Sequence, residues 1–357
     1  MEHMKDINES ITQELQQKAA QLLESGEIAT FIGFTKGSLP MTARPIVIRN
    51  PEDAKKLIWN SFCVLNLANY LPQTLKSVEE KKDSQGEGDQ YMRPKVGIAA
   101  TGCCSRNIVV QIQENQVDKE RVVVVGITSR GMVDKKKIIS KLNGKEIREV
   151  IEADHLLKIK GPGFETEIPR WEVVRDNCLC CTRPEPAFFH YKIEASGSAQ
   201  RSIENPFSQV DEIEALSHDE RWKWFMQEID KCIRCYACRN VCPLCYCPTC
   251  FVDDSRPQWV GKSIDKSDTA IFHILRAYHC AGRCTDCGAC ESACPMGIRM
   301  RLFTKKLQKD VLEFFGTEAG TDFDTPPPLS TYAPDDPEDF VIDLAKGITD
   351  IKKGSGS

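Results

Sequence analysis

Two stretches of the chain repeat one spacing of cysteines, and that spacing restricts the fold more than any other feature. CIRCYACRNVCP supplies Cys232, Cys235, Cys238, Cys242 and Pro243, and CTDCGACESACP supplies Cys284, Cys287, Cys290, Cys294 and Pro295. Each reads C-x2-C-x2-C-x3-C-P, the ligand run of paired 4Fe–4S clusters. Three thiolates two residues apart on a tight loop can reach three irons of one cubane. The fourth Cys is expected to begin a helix leading away and to ligate the other cubane. The spacing therefore assigns Cys232, Cys235, Cys238 and Cys294 to cluster one, and Cys284, Cys287, Cys290 and Cys242 to cluster two. Zinc ribbons are built from C-x2-C pairs, whereas both copies here are triplets with a fourth Cys before Pro.

The chain has 18 cysteines in 357 residues. A secreted disulfide scaffold is usually short and enters through a signal peptide. This chain is long, and its N-terminus, MEHMKDINESITQELQQ, is polar with no apolar core segment. A reducing, anaerobic cytoplasmic setting is the expectation. No apolar run approaches the ~20 residues of a membrane span, so any membrane association would come through a partner. The formal net charge of −5, with both signs spread along the chain, gives no reason to expect nucleic acid.

Other cysteines are less regular. Cys245, Cys247, Cys250 and Cys280 lie in an insertion between the motifs and read either as further metal ligands or as buried free thiols. Cys103 and Cys104 sit at a strand–helix junction, where a helix N-terminus stabilises thiolate. Cys178, Cys180 and Cys181 form another group. Together they offer a third 4Fe–4S cluster held by Cys103, Cys178 and Cys181, with Cys104 or Cys180 as fourth ligand; the alternative is structural or redox-active thiols. Cys63 reads as a core residue within a helix. Arg234, Arg239 and Arg283 are the cations expected to favour reduced clusters, unless they are solvated.

Hydrophobic spacing predicts a helix over 8–25 ended by Gly26, and a second opened by Asn50-Pro51 and continuing through Leu57, Ile58 and Phe62. Residues 79–90 read as an exposed loop. Strand 95–100, helix 105–113 and strand 121–127 make a βαβ unit, hence an α/β N-terminal domain over 1–205 with some parallel sheet. Ser217 and Glu220 form a capping box for a connecting helix within 206–230, read as a strut between two domains. An α+β dicluster domain follows over 231–316, with its Cys-rich insertion at 244–281 and a last helix, 299–315, closed by Gly316. Residues 317–357 read as an extended Pro-rich tail with an apolar patch at 340–344, ending in an appended Gly-Ser linker.

No G-x-G-x-x-G follows a strand, so FAD is not expected, although Thr101-Gly102 could approach a phosphate. No Ser-His-Asp or Cys-His arrangement is visible, and His190, His273 and His279 read as core or surface residues.

Three stretches carry a family resemblance: GCCSRNIVVQIQENQVDKERVVVVGITSRGMVD, NCLCCTRPEP, and the two motifs with their flanks. On these the chain resembles the dicluster iron–sulfur subunits that accompany hydrogenases, formate dehydrogenases and heterodisulfide-reductase-like modules of anaerobes. Its layout is similar to the iron–sulfur subunit of anaerobic sulfite reductase, and its N-terminal half to the β-subunit of deazaflavin-reducing hydrogenase. Relatives often have Gly-Cys-Asp-x-Arg where this chain has Gly102-Cys103-Cys104-Ser105-Arg106, and a Cys near Ser129. The resemblance implies a bacterial dicluster ferredoxin fold and an electron-transfer subunit relaying electrons between partners, with no substrate chemistry of its own. The tail and the insertion are the expected partner contacts. The rival reading is a flavin-containing oxidoreductase acting on a deazaflavin, sulfite or disulfide.

Overall fold

A computed structural model describes residues 8–83, 93–153, 155–194 and 203–328. The tail beyond 328, with its patch at 340–344, and most of the expected loop 79–90 lie outside these residues.

The βαβ unit forms as expected. Strand β1 (Thr30–Lys36) makes an antiparallel hairpin with β2 (Ala43–Ile48), while β3 (Val96–Ala100), β4 (Val122–Ile127) and β8 (Tyr191–Ile193) extend the sheet in parallel, in the order β2-β1-β3-β4-β8. Both β3 and β4 are buried along their whole length, the property of a parallel sheet covered on two faces. Helix α1 (Asn8–Glu24) buries Ile11, Leu15, Ala19 and Leu22 in the main core, and Gly26 takes φ +72° after its end.

Three expectations change. Asn50-Pro51 opens only a 3₁₀ turn, Pro51–Lys56, because Leu57 turns to extended backbone (φ −69°, ψ 141°) to bury its side chain under β1. Cys63 is therefore not in a helix, although it is buried. Helix α2 (Leu71–Asp83) takes in the first residues of the expected loop. A second, antiparallel sheet of β5 (Glu149–Ala153), β6 (Leu156–Gly161) and β7 (Phe164–Pro169) is additional to the predicted elements. It has its own small core with α4 (Lys135–Lys141), including Ile138, Leu157 and Ile159. The buried Arg170–Glu152 pair, 2.6 Å apart, ties it to Ser61.

Helix α7 (His218–Ile229) starts at the expected capping box. It is not a strut. It packs on α9 (Lys266–His279), and α6 (Ser208–Glu214) packs on α11 (Arg301–Phe315), all within the C-terminal half. The joint between halves is instead α3 (Gly102–Gln113), buried on nearly every face. One side of α3 joins the sheet core. On the other, Asn107 Nδ2 donates to Thr285 Oγ1 (2.6 Å), Gln111 Nε2 to the Pro243 carbonyl (2.9 Å), and Val110 packs on Leu244 and Cys280. The first tail residues also return to α3: Arg106 Nε donates to the Ala319 carbonyl and Phe323 meets Phe188 edge-on. This part of the tail is an intramolecular clasp rather than a free partner contact.

Candidate metal centres

The two motifs adopt the same backbone. In each, the third and fifth residues have left-handed φ: Arg234 (51°) and Tyr236 (57°) in the first, Asp286 (56°) and Gly288 (66°) in the second. These reversals turn the loop so that successive thiols face one side. Short helices α8 (Ala237–Asn240) and α10 (Ala289–Ala293) then carry the third Cys, and the fourth follows the helix end. The expectation that the fourth Cys begins a helix is corrected. Cys294 caps α10 in extended backbone (φ −72°, ψ 114°), which lets it leave its own loop.

Cys294 leaves toward the first motif. It lines one small cavity with Cys232, Cys235 and Cys238. Burial raises the Cys232 and Cys238 thiols, and each also feels the negative charge of Cys294. Reciprocally, Cys242 lies among Cys284, Cys287 and Cys290, each raised by burial, Cys290 to about 12, and each feeling Cys242. The structure thus brings Cys294 beside the first triplet and Cys242 beside the second.

A third group gathers where α3 meets the segment after α5 (Asp176–Leu179). Cys103, near the N-terminus of α3, is held by Thr101 Oγ1 at 3.4 Å, and Cys178 Sγ accepts from the Met132 amide at 3.3 Å. Burial raises Cys181 to about 12, and it feels both Cys103 and Cys178. All three line a cavity of about 800 Å³ that Cys180, Cys287 and Cys63 also reach. Cys104 points the other way. It is 4% exposed, packed beside Leu67 and Ala68 in the main core, because neighbouring helix positions point about 100° apart. Cys180 is left as the fourth candidate, with its thiol near Asp286 and Arg301. The space where Gly102 would carry a Cβ is filled by the Arg183 and Glu185 carbonyls. The glycine serves close chain packing, not the approach of a phosphate.

The insertion cysteines do not form a set of their own. The Cys245 and Cys280 thiols donate to Cys242, holding it well below the usual thiol range. Cys250 packs beside the first motif and near Arg239, and Cys247 is exposed.

The three expected cations are mostly neutralised. Arg283 pairs with Glu114, Arg239 with Asp253 at 2.7 Å, and Arg234 donates to the Gly261 and Ser263 carbonyls with Asp268 at 4.0 Å. Sequence reasoning missed Arg276, which is 5% exposed and meets no carboxylate within ion-pair distance among the described residues. His273, read as a core or surface residue, is buried with its Nε2 3.3 Å from Cys232 Sγ. Both sit on the buried face of α9, and the 3.6-residue periodicity of TAIFHILRA carries that signal.

Among the described residues, no three Cys, His, Asp or Glu side chains converge tightly enough to hold one metal ion.

Residues 228–298 match the family of 4Fe–4S dicluster domains, so the C-terminal half contains one. The chain is 34% identical over 108 residues to the F420-dependent formate dehydrogenase subunit beta of Methanocaldococcus jannaschii, covering 30% of this chain and 27% of that protein. It is 28% identical over 115 residues to the F420-dependent formate dehydrogenase 1 subunit beta of Methanococcus maripaludis, covering 32% and 28%. The chain thus spans little more than a quarter of the curated relatives it matches. A solved F420-reducing [NiFe] hydrogenase complex of Methanosarcina barkeri aligns over 50% of this chain and 63% of its own, with 18% identity and a TM-score of 0.35. No helix among the described residues is long and apolar enough to cross a membrane.

Proposed function

We propose that this chain is the iron–sulfur subunit of a multi-subunit redox complex of the formate dehydrogenase or hydrogenase kind, carrying electrons between partner subunits. Cys232, Cys235, Cys238 and Cys294 would hold one 4Fe–4S cluster; Cys284, Cys287, Cys290 and Cys242 would hold a second. Cys103, Cys178 and Cys181, with Cys180, would hold a third. Each cluster, when bound, supplies a one-electron carrier. The domain limits would be 1–205 and 231–316, with 206–230 packed on the C-terminal half and the tail 317–357 after it.

One observation carries the proposal: the thiol groups are contiguous. Cys290 lies in α10 and Cys294 caps its end, yet the two stand with opposite groups, and Cys287 lines the same cavity as Cys103 of the third group. On this reading the sites would run from the exposed Cys235 at one end to the large cavity at the other. The test is anaerobic preparation followed by iron, acid-labile sulfide and EPR measurement. Three interacting paramagnets on reduction are expected; zinc without labile sulfide would end the proposal.

A second reading is favoured by the cavity itself. About 800 Å³ exceeds the needs of one cubane and lies within the range of cofactor pockets. A flavin there would make the chain an oxidoreductase for a small acceptor. A yellow chromophore released with the iron by acid would support it, and iron alone would not.

A further inference from the structure

Helix α9 lies in the insertion between the motifs, so a bare pair of C-x2-C-x2-C-x3-C-P loops has no counterpart for it. Asp265 caps its start by accepting from the Asp268 amide, and Cys280 ends it. His273, Arg276 and Cys280 are three and four residues apart, the spacing that aligns side chains on one helix face. His273 reaches Cys232 of the first group, and Cys280 reaches Cys242 of the second. Arg276 lies between them. Its Nη2 donates to the Cys238 carbonyl at 3.1 Å, tying it to the first motif; the thiols around it are those of Cys238, Cys242, Cys280 and Cys290, and Cys280 packs with Cys242 and Cys284 of the second group. Its Nε has no partner among the described residues.

A guanidinium cannot shed its proton at ordinary pH. Buried without a counter-charge, it is strongly unfavourable. The thiols facing Arg276 come from both metal-binding groups, so two thiolate-ligated clusters would place negative charge on both sides of it. We propose that Arg276 is the shared counter-cation of the two clusters, delivered by the insertion helix to raise both of their reduction potentials together. This rests on the cluster assignments proposed above. Adding one electron to either cluster adds one negative charge beside the guanidinium, which stabilises the reduced form. The paired Arg239 and Arg283 have their own carboxylates, so their influence is largely cancelled.

The test is an EPR-monitored redox titration of the full chain, prepared anaerobically and reduced stepwise with dithionite, after iron and sulfide content have been fixed. If the unaltered chain holds no 4Fe–4S clusters, the proposed function fails before Arg276 is tested. With clusters present, Arg276→Gln is expected to lower both midpoint potentials by at least a tenfold change in reduction equilibrium, about 59 mV for one electron. Arg276→Lys should keep most of the native potentials, and Arg239→Gln should move them less than half as far as Arg276→Gln. Unmoved potentials in Arg276→Gln, movement of only one cluster, or an equal shift in Arg239→Gln would each overturn the proposal. Should Arg276→Gln fail to load clusters, Arg276→Lys decides. Loading near native potentials upholds a role for the charge, and failure to load makes the guanidinium a packing element and ends the idea.

Discussion

The two cysteine motifs share spacing and backbone yet live in different surroundings. At the third position of each loop the first has Arg234 and the second Asp286, both left-handed. Arg234 is satisfied mainly by carbonyls of the insertion, whereas Asp286 is held in a buried network by Arg301 at 3.2 Å and Lys305 at 3.0 Å. At the fifth position the first motif has Tyr236, whose ring meets Phe272 edge-on and whose hydroxyl accepts from Arg234 at 2.8 Å. The second has Gly288, because a Cβ there would stand 2.8 Å from Arg175 Nη2 and Asn177. The difference teaches what each copy is for. The first faces outward, with Cys235 exposed, and tolerates a bulky side chain; the second packs its loop directly against Arg175 and Asn177 of the N-terminal half.

The largest expected effect tests whether the crossed ligands are real. Cys294→Ala should remove the iron of the first cluster while leaving the EPR signal of the second, although Cys294 lies in the second motif. Loss of the second signal instead would show that each motif keeps its own fourth thiol. Cys242→Ala should be milder than its counterpart, because Cys245 and Cys280 already touch the position and can supply a replacement thiolate. Equal iron loss in both variants would remove that asymmetry.

Next in size is Asp286→Asn, which deprives Arg301 and Lys305 of a buried partner. Breaking a buried pair costs about 3–5 kcal/mol. Arg301 keeps Glu291 at 3.3 Å, so the lower end, about 3 kcal/mol, is expected in denaturant unfolding. Gly288→Ala should cost less, roughly 1–2 kcal/mol for a left-handed non-glycine residue, plus displacement of the Arg175 side chain. Because Arg175 Nη2 donates to the Gly288 carbonyl at 2.5 Å, this variant should also loosen the joint. Faster amide exchange in 101–113 would register that, and unchanged exchange there would mean the halves are held without this contact.

What was legible in the sequence divides along the same line. The spacing of Cys232 to Cys242 and Cys284 to Cys294 made the two triplets legible because ligand geometry is local to each loop, and the proposed exchange rests on the fourth position. The buried strands β3 and β4 were legible from their unbroken apolar runs. The joint was not. Asn107 and Gln111 look like ordinary polar positions of a helix, and only the packed structure shows them bonded to Thr285 and Pro243. Nor could sequence choose between Cys104 and Cys180, since the choice depends on which face of α3 meets the core. The arginines beside the motifs drew attention by proximity in sequence, yet the charges of Arg283 and Arg239 are cancelled by Glu114, which is distant along the chain, and by Asp253, which no pattern singles out. Arg276 was hidden because burial without a carboxylate is a property of the fold.

The smallest effect concerns Cys63, which lines the cavity beside the second motif without joining its thiols. It is 3% exposed, its thiol lies 3.7 Å from Asn60 Oδ1, and burial pushes it up to about 12, so it is a neutral thiol at physiological pH. Cys63→Ala removes one buried sulfur and should cost about 1 kcal/mol. Iron, labile sulfide and EPR signals should stay unchanged. Cys181 is raised as far, also by burial, so protonation alone does not separate ligand from bystander in this cavity. Company does: Cys181 feels Cys103 and Cys178, whereas the charge that Cys63 feels is Glu152. Loss of iron in Cys63→Ala would bring the 57–66 segment into the metal-binding wall, and the second motif would then face a set of candidate thiols larger than one cubane needs, where the first motif faces a closed set.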